Sequence, residues 1–216
     1  MLEPARGLDQ YFPIPIGVAR FYDLDLAELY NVAHHAPLET NDLSDHDRNW
    51  QSKSLSVLDD LPDLKERIRV EVEQYKDQIL GCNSTPFAFT TSWWTRTDPG
   101  GSCEWHEHRN SWISGVLYIN GGPKWGSFAV HSPLDYRPSI LVTPDVWNKY
   151  NTQVYEIDPE PGMLLLFQSN LRHRIYWHHG DAPRYSLAFN TYPHGLFGNR
   201  DSVVSVSVDD IGLELT

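Results

Sequence analysis

The second half of the sequence consists of short apolar segments separated by turn residues, and this pattern limits the folds that the chain can adopt. Six such segments follow Pro86, and they are FAFTTSWWTR, WISGVLYI, GSFAVHS, GMLLLF, HRIYWH and RYSLAFNTY. No amphipathic helical pattern lies between them. Short strands at this spacing are typical of antiparallel sandwiches and barrels. The chain is therefore predicted to be mainly β.

Helical patterns occur before residue 85. Apolar residues recur at helical spacing in 24–35, and again in 60–81, where Asp60 is a candidate cap, Pro62 suits the first turn and Gly81 ends the pattern. We expect the second helix to cover one face of a sheet with its apolar stripe. The stripe consists of Leu64, Ile68, Val72, Tyr75 and Ile79.

Three further segments carry simpler signals. PIPIGVARFY at 13–22 predicts a short strand, the polar run at 39–54 predicts a loop, and the alternating tail SVVSVSV at 202–208 predicts an added edge strand. The sequence contains no internal repeat, and no linker divides it into two domains. A chain of 216 residues can bury one full core, so a single domain is expected.

The composition excludes several classes of protein. The 29 acidic residues outnumber the 17 basic ones and give a formal charge of −12, which argues against nucleic acid as a partner. No signal peptide pattern and no apolar run of membrane-spanning length occurs, so a cytoplasmic protein without a membrane partner is expected. The two cysteines, Cys82 and Cys103, are too few for a disulfide framework and are expected to be free thiols.

The stretch CEWHEHRNSW places His106 and His108 two positions apart, directly before the apolar run SGVLYI. Histidine is the commonest metal ligand among side chains, and this spacing on extended backbone directs both rings to one face. The motif therefore suggests a metal site. An isolated pair of this kind is more often two exposed histidines in a polar loop, so other parts of the chain have to support the metal.

A second group of polar residues lies downstream. His173 opens an extended stretch, and Arg184 begins a strand whose alternate members are Ser186, Ala188 and Asn190. Because side chains alternate across a strand, these four residues share one face, and small polar residues on that face predict the lining of a pocket. The opposite face carries Tyr185, Leu187 and Phe189, as expected for a packed core.

These segments together resemble a known family. Two groups of motifs are similar to those of 2-oxoglutarate- and Fe(II)-dependent oxygenases of phage and bacterial type. They are H-x-H-x-N followed by S-G-V-x-Y, and P-G-x-L-x-x-F followed by L-x-H and G-x-x-x-R-x-S-x-x-F-N. YFPIPIGVARFYDLDL and NWQSKSLSVL extend the resemblance over most of residues 11–193. It implies a double-stranded β-helix, which is a cupin-like jelly-roll barrel with flanking helices and a metal at its mouth.

The resemblance also implies roles for individual residues. His106, His108 and His173 match the metal ligands, and Arg184 matches the arginine that binds the far carboxylate of 2-oxoglutarate, with the Ser186 hydroxyl beside it. A planar guanidinium fits a carboxylate through two parallel hydrogen bonds, which suits this role physically. Further contacts to the co-substrate are expected from Tyr118 and Asn190. The implied cofactors are Fe(II), 2-oxoglutarate and O₂.

One position departs from the usual pattern of the superfamily. Most of its members bind iron with two histidines and one carboxylate, whereas His108 stands where the carboxylate is expected. We favour three histidines, and two alternatives remain: Glu107 recruited by a local bulge, or a distant carboxylate such as Asp98. A site of three neutral ligands leaves the metal one unit more positive and strengthens its attraction for an anionic 2-oxoacid.

The resemblance implies an oxygenase that hydroxylates a small molecule or an amino-acid side chain on a peptide or protein. Two alternatives are a three-histidine cupin-type dioxygenase that needs no 2-oxoacid, and a metal-binding protein without catalysis. The expected single domain, 1–216, comprises an N-terminal strand with supporting helices (1–85), the jelly-roll core (86–193) and a C-terminal extension (194–216). Three bulky residues are candidates for the pocket wall or for barrel packing: Trp105, Trp112 and Trp177.

Overall fold

A computed structural model describes residues 12–45, 47–133 and 142–208 of the protein. Residues 1–11, 46, 134–141 and 209–216, which include both ends of the expected domain, lie outside the described residues. The division at residues 85 and 193 stays a prediction. The described strands in chain order are β1 (Gly17–Arg20), β2 (Leu38–Thr40), β3 (Ser44–Asp45), β4 (Asn49–Ser52), β5 (Phe87–Thr97), β6 (Ser102–His106), β7 (Ile113–Tyr118), β8 (Phe128–His131), β9 (Val154–Ile157), β10 (Met163–Gln168), β11 (His173–Ile175), β12 (Arg184–Pro193), β13 (Gly195–Phe197) and β14 (Val204–Val206).

The strands form two main antiparallel sheets and one small one. The first has seven strands in the order β1-β10-β7-β12-β5-β4-β2, and the second has five in the order β3-β6-β11-β8-β9. Strands β13 and β14 pair only with each other. Neighbours within both large sheets are mostly distant in sequence, as in a jelly roll, so the prediction of a mainly β protein is confirmed.

Two α-helices lie in the N-terminal part, as predicted: α1 (Leu26–His35) and α2 (Pro62–Gln74). Asp25 caps α1 by accepting a hydrogen bond from the backbone N–H of Glu28 at 3.0 Å. Asp60 does not cap α2, contrary to expectation, because it ends a 3₁₀ turn at Val57–Asp60 and Leu61 occupies the cap position. A π-helical turn at Tyr75–Ile79 follows α2, before Gly81 adopts a left-handed φ of 66°.

One hydrophobic core lies between the helices and the seven-stranded sheet. Leu64, Ile68 and Val72 of α2 belong to this core together with residues of β12, so the helix covers one face of a sheet as expected. Tyr75 of the π turn is also buried, whereas Ile79, predicted to continue the stripe, is 53% exposed because it lies at the end of that turn. The core residues of β12 are Tyr185, Leu187 and Phe189. A second core lies between the two large sheets, and its members come from both. It consists of Tyr118, Phe128, Val130, Met163, Leu165, Phe167 and Leu171.

The structure differs from the sequence interpretation in two further places. The polar run 39–54, predicted to be a loop, contains β2 in part, β3 and β4. The C-terminal tail forms β14, which pairs with β13 instead of extending a large sheet. None of the helices in the described ranges is long and apolar enough to cross a membrane.

Candidate metal centre

Three histidines meet between the two sheets. His106 ends β6 and lies directly opposite His173, the first residue of the neighbouring strand β11, while His108 follows two residues after the end of β6. The ring centroids are 4.3 Å apart for His106 and His173, 5.1 Å for His108 and His173, and 5.3 Å for His106 and His108. One nitrogen of each ring lies within 4.8 Å of the other two.

Hydrogen bonds determine which nitrogen is free in two of the rings. Nδ1 of His106 is 2.8 Å from the carbonyl oxygen of Glu104, and Nδ1 of His173 is 2.8 Å from that of Leu171. A carbonyl oxygen only accepts, so each Nδ1 carries the proton and Nε2 retains its lone pair. Metal-binding histidines typically donate their second ring N–H to such a partner. The arrangement therefore fits a metal ion.

The environment keeps the three rings neutral. Burial lowers the pKa of His106, and burial together with the neighbouring His106 lowers the pKa of His108 to about 4. Burial also lowers the pKa of His173 well below its ordinary value, with His106 adding to the effect. Neutral imidazole is the form that binds metals, so all three rings are in the protonation state that metal binding requires at neutral pH.

Within the described ranges, no carboxylate joins the three imidazoles. Glu107 lines the same cavity, but its carboxylate pairs with Arg109 at 3.2 Å. Asp98 accepts hydrogen bonds from Trp50 Nε1 at 3.0 Å and from Arg96 Nε at 2.6 Å. The two carboxylates considered as alternative ligands therefore already have partners elsewhere.

A cavity of about 470 Å³ contains the histidine cluster. One wall is the predicted face of β12, of which Arg184, Ser186 and Ala188 line the cavity, although Asn190 does not. The residues directly opposite them on β5 also line it, because cross-strand partners point to the same face. These partners are Thr97, Thr95 and Trp93, respectively.

Arg184 is a buried cation without a carboxylate partner in the described part of the chain. It is only 2% exposed, and it donates from Nη1 to the Gly126 carbonyl at 2.8 Å and from Nη2 to the Thr97 hydroxyl at 2.9 Å. Its Nε has no hydrogen-bond partner among the residues that the structure describes. Burial lowers the pKa of Arg184, but a guanidinium stays charged in proteins. An unpaired buried charge is costly, which indicates that an anion belongs here.

The other residues predicted to contact the co-substrate have different environments. The ring of Tyr118 lies 5.3 Å from the Arg184 guanidinium, and burial raises the pKa of its hydroxyl to about 12. This buried hydroxyl has no hydrogen-bond partner in the described part of the chain. Ser186 shares a hydrogen bond of 2.6 Å with the Thr95 hydroxyl. Asn190 is engaged on both sides of its amide, by Ser114 and by Thr91.

The aromatic wall of the cavity differs from the prediction. Trp105 packs against His131 of β8 and against Tyr176, which directly follows β11. Trp112 packs against the core beneath the helices, and Trp177 is exposed. None of the three lines the cavity. Trp93 lines it instead, with its ring 6.0 Å from that of His108. The sequence signal for this position was strand alternation, because Trp93, Thr95 and Thr97 are alternate residues of β5 and therefore share one face.

A family model described as "Putative 2OG-Fe(II) oxygenase" matches residues 91–190. This segment includes the three histidines, Arg184 and the strands that carry them. None of the curated proteins compared with the chain matches it.

Several solved structures share the fold. An oxidoreductase of the 2OG-Fe(II) oxygenase family from Burkholderia pseudomallei is 13% identical, with 82% of this chain and 84% of that chain covered and a TM-score of 0.58. HygX from Streptomyces hygroscopicus, with nickel, 2-oxoglutarate and hygromycin B bound, is 12% identical over 82% of each chain, with a TM-score of 0.60.

A prolyl hydroxylase from Trichoplax adhaerens, in complex with a peptide fragment of the hypoxia inducible factor oxygen degradation domain, is 14% identical. The comparison covers 82% of this chain and 83% of that chain, with a TM-score of 0.57. At these identities the likeness shows the fold, and it confirms the predicted double-stranded β-helix. Residues 91–190 are therefore similar to the 2OG-Fe(II) oxygenase family, whose members use Fe(II) and 2-oxoglutarate.

Proposed function

We propose that the protein binds Fe(II) through His106, His108 and His173, binds 2-oxoglutarate through Arg184, and hydroxylates a small molecule or an amino-acid side chain. The observation that carries this proposal is the cavity itself. A buried, unpaired guanidinium and three neutral imidazoles line the same space, so one cavity offers a site for a cation and a site for an anion.

Arg184 would bind the far carboxylate of 2-oxoglutarate. Its Nε is without a partner, and the unpartnered hydroxyl of Tyr118 belongs to the ring beside the guanidinium. Hydrogen bonds to an ionised carboxylate are strong in a buried site, where water does not compete. The hydrogen bonds from Nη1 and Nη2 to Gly126 and Thr97 hold the guanidinium in place before the co-substrate arrives.

His106, His108 and His173 would hold the metal, and three neutral ligands leave its full charge available to an anionic 2-oxoacid. When bound, Fe(II) and 2-oxoglutarate supply the activation of O₂ and the oxidation of a substrate C–H bond, with succinate and CO₂ as products. The walls formed by Trp93, Phe128 and Phe167 exclude water from this part of the cavity. The remaining task of the chain is to position the substrate beside the metal.

The lining of the cavity favours a neutral or cationic substrate. Asn41, Asp42, Gln51 and Glu107 line it, and Arg184 is the one Lys or Arg among the described residues that do so. The net charge of −12 also repels polyanions at long range. Two proteins of the same fold show that it accepts a small molecule or a peptide, since HygX holds hygromycin B and the Trichoplax enzyme holds a peptide fragment.

Oxygen uptake tests the proposed activity. Adding 2-oxoglutarate to the Fe(II)-loaded protein is expected to cause slow O₂ consumption with succinate formation even without the true substrate, and a suitable neutral or cationic substrate should accelerate both. Candidates of each charge class are compared in the same assay. Uptake that is independent of 2-oxoglutarate would favour the cupin-type dioxygenase, and a preference for polyanionic candidates would contradict the substrate class.

The identity of the third ligand is tested by two neighbouring variants. His108→Ala is expected to lower metal occupancy strongly, because it removes a ligand, whereas Glu107→Ala is expected to leave occupancy unchanged, because Glu107 pairs with Arg109. Elemental analysis of the purified variants gives the metal content per chain. The opposite pair of results would assign the third ligand to Glu107.

A further inference from the structure

The three histidines are held in place in different ways. The rings of His106 and His173 are each fixed by a hydrogen bond from Nδ1 to the carbonyl two residues earlier. No such bond holds the ring of His108 within the described ranges, and its nearest aromatic neighbour outside the cluster is Trp93, at 6.0 Å between ring centroids. Its backbone is anchored instead, because the N–H of His108 donates to the carbonyl of Ser169 at 2.9 Å.

Ser169 is the buried end of a chain of hydrogen-bonded polar side chains whose other end is half-buried. Its hydroxyl lies 2.7 Å from the hydroxyl of Ser114, which donates to Oδ1 of Asn190 at 2.7 Å. Nδ2 of Asn190 in turn donates to the hydroxyl of Thr91 at 3.2 Å. Because the Ser114 proton goes to Asn190, Ser169 must donate to Ser114, so all three bonds run in one direction.

This chain connects the His108 loop to the rigid part of the fold. Thr91, Asn190 and Ser114 lie on β5, β12 and β7, three adjacent strands of the seven-stranded sheet, and Ser169 directly follows β10. Ser114 and Ser169 are both 1% exposed, so water does not replace a lost partner. Successive hydrogen bonds that point in one direction also strengthen one another.

We infer that Ser114 and Asn190 are positioning residues for His108, acting through Ser169 in place of the ring hydrogen bond that the other two histidines have. The inference rests on the proposed three-histidine metal site. It gives Asn190, which was expected to contact the co-substrate, a role outside the cavity wall. Removal of outer partners of metal ligands typically lowers metal affinity 10-fold to 100-fold, so about that loss is expected here.

The test is Ni(II) binding to the full chain, measured by calorimetric titration. Ser114→Ala is expected to weaken Ni(II) binding about 10-fold to 100-fold. The matched control is Thr191→Val, because Thr191 adjoins Asn190 on β12. Its buried hydroxyl donates a hydrogen bond of 2.8 Å to the backbone carbonyl of Ile113, the neighbour of Ser114. This control removes hydrogen bonds of the same two strands outside the chain, and Ni(II) affinity is expected to stay unchanged.

A double variant shows whether Ser114 acts through His108. In a His108→Ala background, Ser114→Ala is expected to cause no further loss of Ni(II) affinity, because coupled residues are not additive. Equal losses in Ser114→Ala and Thr191→Val, no loss in Ser114→Ala, or a full additional loss in the double variant would each overturn the inference. Wild-type affinity in His108→Ala alone would instead refute the proposed metal site, so the two failures are distinguishable.

Discussion

Replacing Arg184 by Leu is expected to weaken 2-oxoglutarate binding by about 3–5 kcal/mol, or about two to three and a half orders of magnitude, while the metal is retained. The reason is that the carboxylate would lose its cation at a buried position, since Arg184 is only 2% exposed. Titration of 2-oxoglutarate into the Mn(II)-loaded protein measures the loss directly. Leucine fills much of the space of the arginine side chain, so the fold is expected to survive.

Two controls separate the charge of Arg184 from its shape. Arg184→Lys should recover part of the affinity, because lysine keeps the charge but loses the planar pair of donors. Pyruvate lacks the far carboxylate and should therefore bind poorly to the wild type and about equally to Arg184→Leu. Unchanged 2-oxoglutarate affinity in Arg184→Leu would contradict the assignment and favour a three-histidine dioxygenase that uses no 2-oxoacid.

Replacing His173 by Ala is expected to abolish metal binding, whereas the wild type should bind one Fe(II), Mn(II) or Ni(II) per chain. His173 is the most buried of the three histidines, and its ring contacts those of Phe128 and Phe167 at centroid distances of 5.1 and 4.9 Å. No other side chain in the described ranges can take its place in the cluster. Elemental analysis after dialysis gives the metal content.

Because His173 packs against aromatic rings, its loss also removes core contacts, and circular dichroism is needed to show that the β structure remains. His106→Ala provides a second variant at a half-buried position, where a smaller effect on the fold is expected. It should lose the metal as well. Full metal content in a folded His173→Ala protein would remove this residue from the site.

The sequence predicted the parts of the site that depend on strand alternation. Arg184, Ser186 and Ala188 line the cavity and Tyr185 and Leu187 face the helices because side chains alternate along any extended strand. The meeting of His106 with His173 depends on the pairing of β6 with β11, which no local pattern specifies. There the resemblance to a family supplied what the physical pattern of the residues did not.

Strand β4 and the position of Asn190 were not predicted from the sequence, for two different physical reasons. Strand β4 was read as loop because its sequence, NWQS, is polar, yet Asn49 and Gln51 line the cavity and polar side chains suit that position. Asn190 was grouped with Arg184 by alternation, but β12 has a bulge between Asn190 and Thr191, and the Asn190 amide is bonded to Thr91 and Ser114. Neither the bulge nor these partners could be inferred from spacing alone.

The two candidate anchors of the cavity lie on different sheets, since His106 and His173 belong to the five-stranded sheet and Arg184 to the seven-stranded one. A co-substrate that contacts the metal and Arg184 together would bridge the sandwich from one sheet to the other. Such a ligand binds only the folded chain, and at 100 times its dissociation constant it adds about 2.7 kcal/mol to the free energy of unfolding. Loading of the site would then slow amide hydrogen exchange in both sheets at once. The stability of the sandwich would therefore depend on whether the cavity is occupied.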